Sequence, residues 1–394
     1  MRRLLSFVRL ENWQKMVSSP ISAQDLRSAM LWIAAMFFVS RAALLLIAHI
    51  ALLQFGPVPG LSDTGVASSL CRWDCDWYLN IAANGYSPVE VGGKPGATTF
   101  SFYPLFPLLV RLIAPAFGGN HLFAALALTN TCFVAGLVYV YRYARLLDAG
   151  HAAALLAVGL LCVMPQSLSF SAVYSESPFL LLLVVAMYYL RTRRYLVAGI
   201  AAALLSATRP NGIFFALFAL AWIIRNAGLQ EFFAPWRVPE RYLPILMAPL
   251  GAFAFMAFCY MTTGDAFAHL STEFYGWGWS FGSPWESLRT LLNHDAAQRL
   301  AAAEAIGVML CSLLLIRQRC YEEFVMCAAL ILLILCGQAA AAQFRYWLVL
   351  FPVWIAVARV LASRPSVSAT TFASLASING LMTCAWALQR PISF

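Results

Sequence analysis

Apolar stretches recur along almost the whole chain, and few charges interrupt them. Of 394 residues, 62% are hydrophobic and 11% are charged, whereas a soluble domain carries roughly 25% charged residues. So few charges cannot cover the water-facing surface of a globule this long. Lipid must therefore be the solvent for most of the chain, with backbone polar groups satisfied inside helices. Apolar runs and their breakers give eleven candidate spans, near 30–55, 119–141, 152–166, 178–190, 195–208, 211–224, 242–261, 300–316, 323–342, 346–362 and 368–388. Several fall short of the ~20 residues that cross a bilayer unaided. They can still cross where the bundle thins the membrane or buries a helix end. Pro165, Pro178, Pro210 and Gly212 punctuate their ends. The loops are too short for a second domain, so residues 1–394 read as one all-α polytopic membrane domain without an internal repeat.

The formal charge of +9 does not point to nucleic acid. Basic residues fall mostly between apolar segments, as the positive-inside rule requires. Arg2, Arg3, Arg9, Lys15 and Arg27 place the N-terminus inside, behind a first span that reads as retained rather than cleaved. The weak point is residues 195–224. Two spans there keep Arg225, Arg237, Arg241, Arg317, Arg319, Arg359 and Arg364 inside, whereas one broken span moves all seven outside, so the charge pattern favours two. Two long segments then lie outside, 56–118 and 262–299. The first contains Phe102-Tyr103-Pro104-Leu105-Phe106-Pro107-Leu108-Leu109-Val110, too short and Pro-broken to span, and reads as an interfacial helix. The second contains Phe274-Tyr275-Gly276-Trp277-Gly278-Trp279-Ser280-Phe281, which suits either an aromatic belt or a mobile segment with a substrate role. The cysteines of the apolar segments act as small hydrophobes. Cys71 and Cys75 flank Arg72-Trp73-Asp74 with none of the further Cys or His ligands that zinc needs.

Five charged residues from distant parts of the chain share the outer face on this topology: Asp74, Asp76, Glu176, Arg209 and Arg345. In a helix Asp74 and Asp76 point about 200° apart, so one faces a cavity while the other caps or pairs. A carboxylate in a partly apolar setting can accept a proton from an attacking hydroxyl. Glu176 sits in the short turn before Pro178, where it either caps the next helix or serves a site. Arg209, in Thr208-Arg209-Pro210-Asn211-Gly212, places a fixed cation beside helix N-terminal amides, an arrangement that suits phosphate. Arg345 opens another span on the same side. Arg41, buried in the first span, needs a partner that the sequence does not identify.

The ordered set Ser40-Arg41, Arg72-Trp73-Asp74, Ile81-Ala82-Ala83-Asn84-Gly85-Tyr86, Phe102-Tyr103-Pro104, Tyr174-Ser175-Glu176 and Arg209-Pro210-Asn211-Gly212, ending weakly at Phe344-Arg345-Tyr346, resembles the PIG-V family. That family, GPI mannosyltransferase II and its prokaryotic relatives, belongs to the GT-C glycosyltransferases. The resemblance is good over about residues 40–225. It implies a GT-C-like bundle of about eleven transmembrane helices. It also implies inverting transfer of mannose from a polyprenyl-phosphate donor to a hydroxyl of a lipid-linked or extracytoplasmic glycan acceptor. Asp74 is then the base, with Asp76 as its alternate. Arg209 and Arg345 meet the leaving phosphate, and Glu176, Arg72, Tyr103 and Asn211 line the substrate site. No cofactor or metal is required, because arginine can meet the charge. The absence of any Asn-X-Ser/Thr sequon favours a bacterial plasma membrane with the site on its extracytoplasmic face. The rival class, a transporter or lipid flippase, places its polar site near the midplane, often between related halves.

Overall fold

The computed structural model describes residues 23–56, 65–90, 96–293, 296–337 and 343–390. The N-terminal cluster Arg2, Arg3, Arg9 and Lys15 and the end of the 323–342 span lie outside the described residues. Every named element is helical. Helices of eight residues or more are α1 (Ala23–Phe55), α2 (Cys75–Asn84), α3 (Leu105–Ile113), α4 (His121–Leu146), α5 (His151–Val163), α6 (Glu176–Arg191), α7 (Tyr195–Thr208), α8 (Phe215–Ala227), α9 (Leu250–Thr263), α10 (Ala268–Trp277), α11 (Pro284–Asn293), α12 (Ala296–Arg317), α13 (Tyr321–Cys336), α14 (Phe351–Leu361) and α15 (Pro365–Ala387).

Each of the eleven candidate spans falls on one of these helices, but length and composition treat them unequally. Among the described residues, four helical segments are long and apolar enough to cross a bilayer alone: Gln24–Phe55, His121–Leu146, Pro210–Ala227 and Gln298–Arg317. The bent pair Pro239–Met247 and Leu250–Thr263 makes a fifth. α5, α7 and α14 are apolar but shorter. α5 and α14 pack on each other in the buried middle of the bundle, and α7 packs against α6 while leaving Leu196, Ile200 and Leu204 exposed. The apolar exterior has the opposite character: Leu31, Phe38 and Leu53 of α1 are 74%, 68% and 68% exposed, a surface that only lipid solvates cheaply. The stretch before α4 forms α3, which buries Phe106 and Val110 and exposes Leu108 and Leu112, the two-faced pattern of an interfacial helix.

The chain reverses at Arg209. A Cβ placed on Gly212 would lie 2.6 Å from the Leu205 carbonyl, so the return strand passes against α7 where only glycine fits. At the far end of the bundle, Arg191 closes α6 and Arg225 closes α8, and both reach Glu322 of α13, at 3.7 and 2.7 Å. The C-terminal ends of α6 and α8 therefore share one face, which requires two crossings between residues 195 and 224. Arg191 Nε also donates to Glu323 (3.1 Å) and to Tyr143 Oη (2.8 Å), whose hydroxyl donates to Glu323 (2.6 Å). This buried network clamps α4, α6, α8 and α13 together. Removing one partner strands the other charge, at a cost of about 3–5 kcal/mol. Arg191→Met is therefore expected to lower the melting temperature of the purified protein markedly, and adding Glu323→Leu should recover much of the loss.

The partner of Arg41 is also plain. Its guanidinium donates to the carbonyls of Ser167 (2.6 Å) and Cys162 (2.9 Å) and to Ser167 Oγ (3.0 Å), over the Phe133 ring at 5.2 Å. The Cys162 carbonyl belongs to the last turn of α5, which has no intrahelical donor, so the intramembrane arginine caps a helix C-terminus.

Candidate active site

The site is assembled at the end of the bundle opposite the Arg191–Glu323 network, around the loop that enters α2. Cys71 and Cys75 are joined by a disulfide, a pairing the sequence reading did not anticipate. Their sulfurs lie close to the Asp76 carboxylate, but a disulfide offers no thiolate to a metal. Within the closed loop Trp73 takes a left-handed conformation (φ 56°), which turns the chain sharply before Asp74. Tyr174 straps the loop in place: its hydroxyl donates to the Arg72 carbonyl (3.1 Å) and accepts from the Asp74 N–H (3.2 Å).

Asp74 faces a cavity of about 220 Å³. Its carboxylate pairs with Arg345 Nη1 at 2.6 Å. Arg345 comes from the short helix Gln343–Leu348, and its guanidinium lies over the Tyr174 ring at 4.8 Å. Glu176, fully buried at the start of α6, binds both cations through one oxygen: Arg209 Nη2 directly, and Arg345 Nε at 3.6 Å. Arg209 Nε further donates to Ser175 Oγ (2.8 Å), which bonds the Tyr78 hydroxyl (3.0 Å). Tyr346 lies beneath both guanidiniums, 5.4 Å from each. One buried carboxylate and one aromatic ring thus hold two arginines side by side, an arrangement matched to a doubly charged phosphate.

Of the residues singled out from sequence, Asp74, Tyr103, Arg209, Asn211 and Arg345 line the cavity, with Glu176 directly behind the two arginines. Tyr103 packs on Phe255 and edge-on to His269, and burial pushes its phenol well up, so it is a neutral donor. Two residues are not brought to the cavity. Asp76 is exposed in the first turn of α2, turned away as the ~100° helical step dictates. Arg72 is buried and points back, donating to the carbonyls of Ser68 (2.6 Å) and Cys71 (3.0 Å), so it braces the loop rather than lining the site.

The cavity also has a wall formed by α10 and the turn after it, where sequence reasoning left the role of the aromatic run open and missed Glu273 and His269. Glu273, His269 and Trp279 all line it. α10 is fastened to the 98–101 segment by the Thr272–Thr98 hydroxyl contact (2.9 Å) and by Trp277 Nε1 donating to Ser101 Oγ (3.0 Å). Burial pushes the His269 imidazole down, so it is neutral near pH 7. Burial, and then the nearby Asp74 charge, push the Glu273 carboxyl up to about 7, against the opposing pull of Arg345 and a Ser101 hydrogen bond. The signal was present in the sequence: Glu273 immediately precedes the aromatic run of the outer loop, on the face already occupied by Asp74 and Arg209.

Comparison with known proteins adds to this geometry. The mouse protein GPI alpha-1,6-mannosyltransferase 2 is 31% identical over 158 residues, 38% of this chain and 30% of its own length. The Cricetulus griseus protein of the same name is 30% identical over 197 residues, 47% of this chain and 37% of its own length. The aligned part thus spans about a third of these curated relatives. Among solved structures, the apo oligosaccharyltransferase of Archaeoglobus fulgidus aligns with TM-score 0.48 and 12% identity, over 91% of this chain and 56% of that one. The oligosaccharyltransferase AglB from Archaeoglobus fulgidus, in complex with an inhibitory peptide and a dolichol-phosphate, aligns with TM-score 0.45 and 12% identity, over 89% of this chain and 56% of that one. The family described as Mannosyltransferase (PIG-V) matches residues 25–234. That match takes in Asp74, Glu176 and Arg209 and covers more than half of the sequence, and the chain belongs to the PIG-V mannosyltransferase family.

Proposed function

We propose that this protein moves a mannose unit from a polyprenyl-phosphate donor to a hydroxyl of a lipid-linked or extracytoplasmic glycan, with inversion at the anomeric carbon. The observation that carries the reading is the pair Arg209 and Arg345, held side by side across Glu176 in a cavity that also contains carboxylates. The acceptor oxygen attacks the anomeric carbon, a cavity carboxylate receives its proton, and polyprenyl phosphate leaves. Asp74 is one of two carboxylates placed for that proton. The two guanidiniums meet the charge that grows on the leaving phosphate, where preorganised donors contribute most to rate. A single displacement needs one base and no enzyme nucleophile.

The site faces the extracytoplasmic side in this reading. The Cys71–Cys75 disulfide lies at the cavity end, and disulfides persist in oxidising compartments. Arg191, Arg193, Arg194 and Arg225 gather at the opposite end, as cytoplasmic loops do. A polar cluster at one end of the bundle also fits an interfacial transferase better than a transporter with a midplane site. The test is transfer of radiolabel from polyprenyl-phosphate-mannose to a membrane extract by the purified protein. Label should move to a larger glycan or glycolipid. Failure to label any acceptor, with donor confirmed bound, removes the reading.

A further inference from the structure

We infer that Glu273 is the carboxylate that takes the proton from the acceptor hydroxyl, and that Asp74 instead holds Arg345 in place. This rests on the sugar-transfer reading above. Three carboxylates serve the cavity, and they differ in what holds them. Asp74 is paired with Arg345 at 2.6 Å, and Glu176 with Arg209 and Arg345. Glu273 has no ion pair within 4.0 Å among the described residues. Its contact is a hydrogen bond with Ser101, whose oxygen already accepts from Trp277 Nε1 and so keeps its own proton to donate.

That difference decides where a proton goes. A proton on Asp74 would remove the charge that faces the Arg345 guanidinium at 2.6 Å and so break that ion pair. Protonating Glu273 breaks no ion pair and relieves its repulsion with Asp74. Burial and that repulsion place its midpoint at about 7, where a general base works best near neutral pH. Tyr78 from α2 is pushed up to about 12, Tyr103 higher still, and His269 on the same helix is pushed down. Arg209, Arg345 and Tyr346 complete the polar walls.

The position of Glu273 is fixed rather than incidental. It follows Thr272, which contacts Thr98, and Trp277 is locked between Ser101 and the Trp77 ring at 5.4 Å. Gly276 packs so closely on residue 97 that a Cβ there would lie 2.6 Å from the Ala97 Cα. In the step itself, the acceptor O–H breaks and its proton passes to a Glu273 oxygen. The freed electron pair forms the bond to the anomeric carbon. The anomeric carbon–phosphate oxygen bond breaks, and its electrons leave with the phosphate facing Arg209 and Arg345. Water then takes the proton from Glu273.

The experiment is the pH–rate profile of transfer from polyprenyl-phosphate-mannose by purified wild type, Glu273→Gln, Glu273→Asp and Asp74→Asn. Wild-type kcat should rise through about pH 7 to a plateau. Glu273→Gln should lose ~10²–10⁴-fold in kcat, lose the acidic limb, and keep its donor KM. Glu273→Asp should keep the limb at reduced rate, which separates chemistry from misfolding. Asp74→Asn should be slow but keep the limb, displaced to lower pH because one cause of the raised midpoint is gone. A Glu273→Gln profile that retains the limb, or an Asp74→Asn profile that loses it, returns the base role to Asp74 and overturns the inference. Absence of any wild-type transfer removes the underlying reading instead, and the inference with it.

Discussion

Asp74→Asn is expected to express and fold as the parent does and to lose at least ~100-fold in transfer rate. The structure explains why the two properties separate. Asp74 precedes α2 but its side chain makes no capping bond, so asparagine costs the helix little. The bond that fixes the loop runs from the Asp74 backbone N–H to Tyr174, and it survives the substitution. What disappears is the charge facing Arg345 at 2.6 Å. Glu176 is then the only anion within 4.0 Å of that guanidinium among the described residues, and it is already shared with Arg209. In the proposed reaction this carboxylate either receives the proton or steadies the cation that meets the leaving phosphate, and an uncharged isostere serves neither role. Asp76→Asn supplies the control. Asp76 is exposed outside the cavity and should retain transfer within about twofold, as surface substitutions usually do. The measurement is turnover of both variants, purified in equal monodisperse amounts. Near-normal turnover in Asp74→Asn would take this residue out of the site.

Much of this arrangement was legible from the chain alone, for identifiable reasons. Helix positions follow from apolar runs ended by Pro and Gly, a signal that lipid makes unusually strong. The two crossings between residues 195 and 224 follow from where the arginines fall, and Arg191 and Arg225 meeting at Glu322 agree. The convergence of Asp74, Glu176, Arg209 and Arg345 follows from that topology, because residues on one face of a bundle have few places to go. Pairwise geometry did not follow. Asp76 and Arg72 share the motif of Asp74, yet α2 begins at Cys75, and the helical step sends one outward while the closed loop turns the other back. The partner of Arg41 was hidden because it consists of main-chain carbonyls at the end of another helix, which no side-chain pattern reveals. Glu273 was passed over because its neighbours Phe274 and Tyr275 drew the reading toward a membrane belt; both are indeed exposed, while Glu273 turns to the cavity. The Cys71–Cys75 disulfide closes a loop too short to resemble the frameworks of secreted domains.

The second large effect belongs to Arg209, and the ion pair changes how it must be tested. From its place in a turn, Arg209→Ala reads as a loss of donor contact with little disturbance of the fold. In the structure Arg209 pairs with a fully buried Glu176, so alanine also leaves that carboxylate with Arg345 alone, at 3.6 Å, costing up to about 3–5 kcal/mol. Lost activity in that variant alone therefore does not distinguish a missing phosphate contact from a damaged scaffold. Arg209→Lys does. Lysine preserves the charge next to Glu176 but lacks the planar fork that can hold Ser175 and Glu176 while presenting a further N–H to phosphate. A lost charge-assisted hydrogen bond is worth ~1.5–3 kcal/mol, or about 10- to 100-fold in affinity. Arg209→Lys should thus melt near the parent temperature while its KM for polyprenyl-phosphate-mannose rises by that factor. Its KM for the acceptor should change less, because in the proposed reaction the acceptor hydroxyl meets Glu273 rather than Arg209. Pairing Arg209→Met with Glu176→Gln extends the separation: removing both charges should restore much of the stability lost in Arg209→Ala and none of the donor use. A double variant that regains donor use would show that Arg209 serves only to neutralise Glu176.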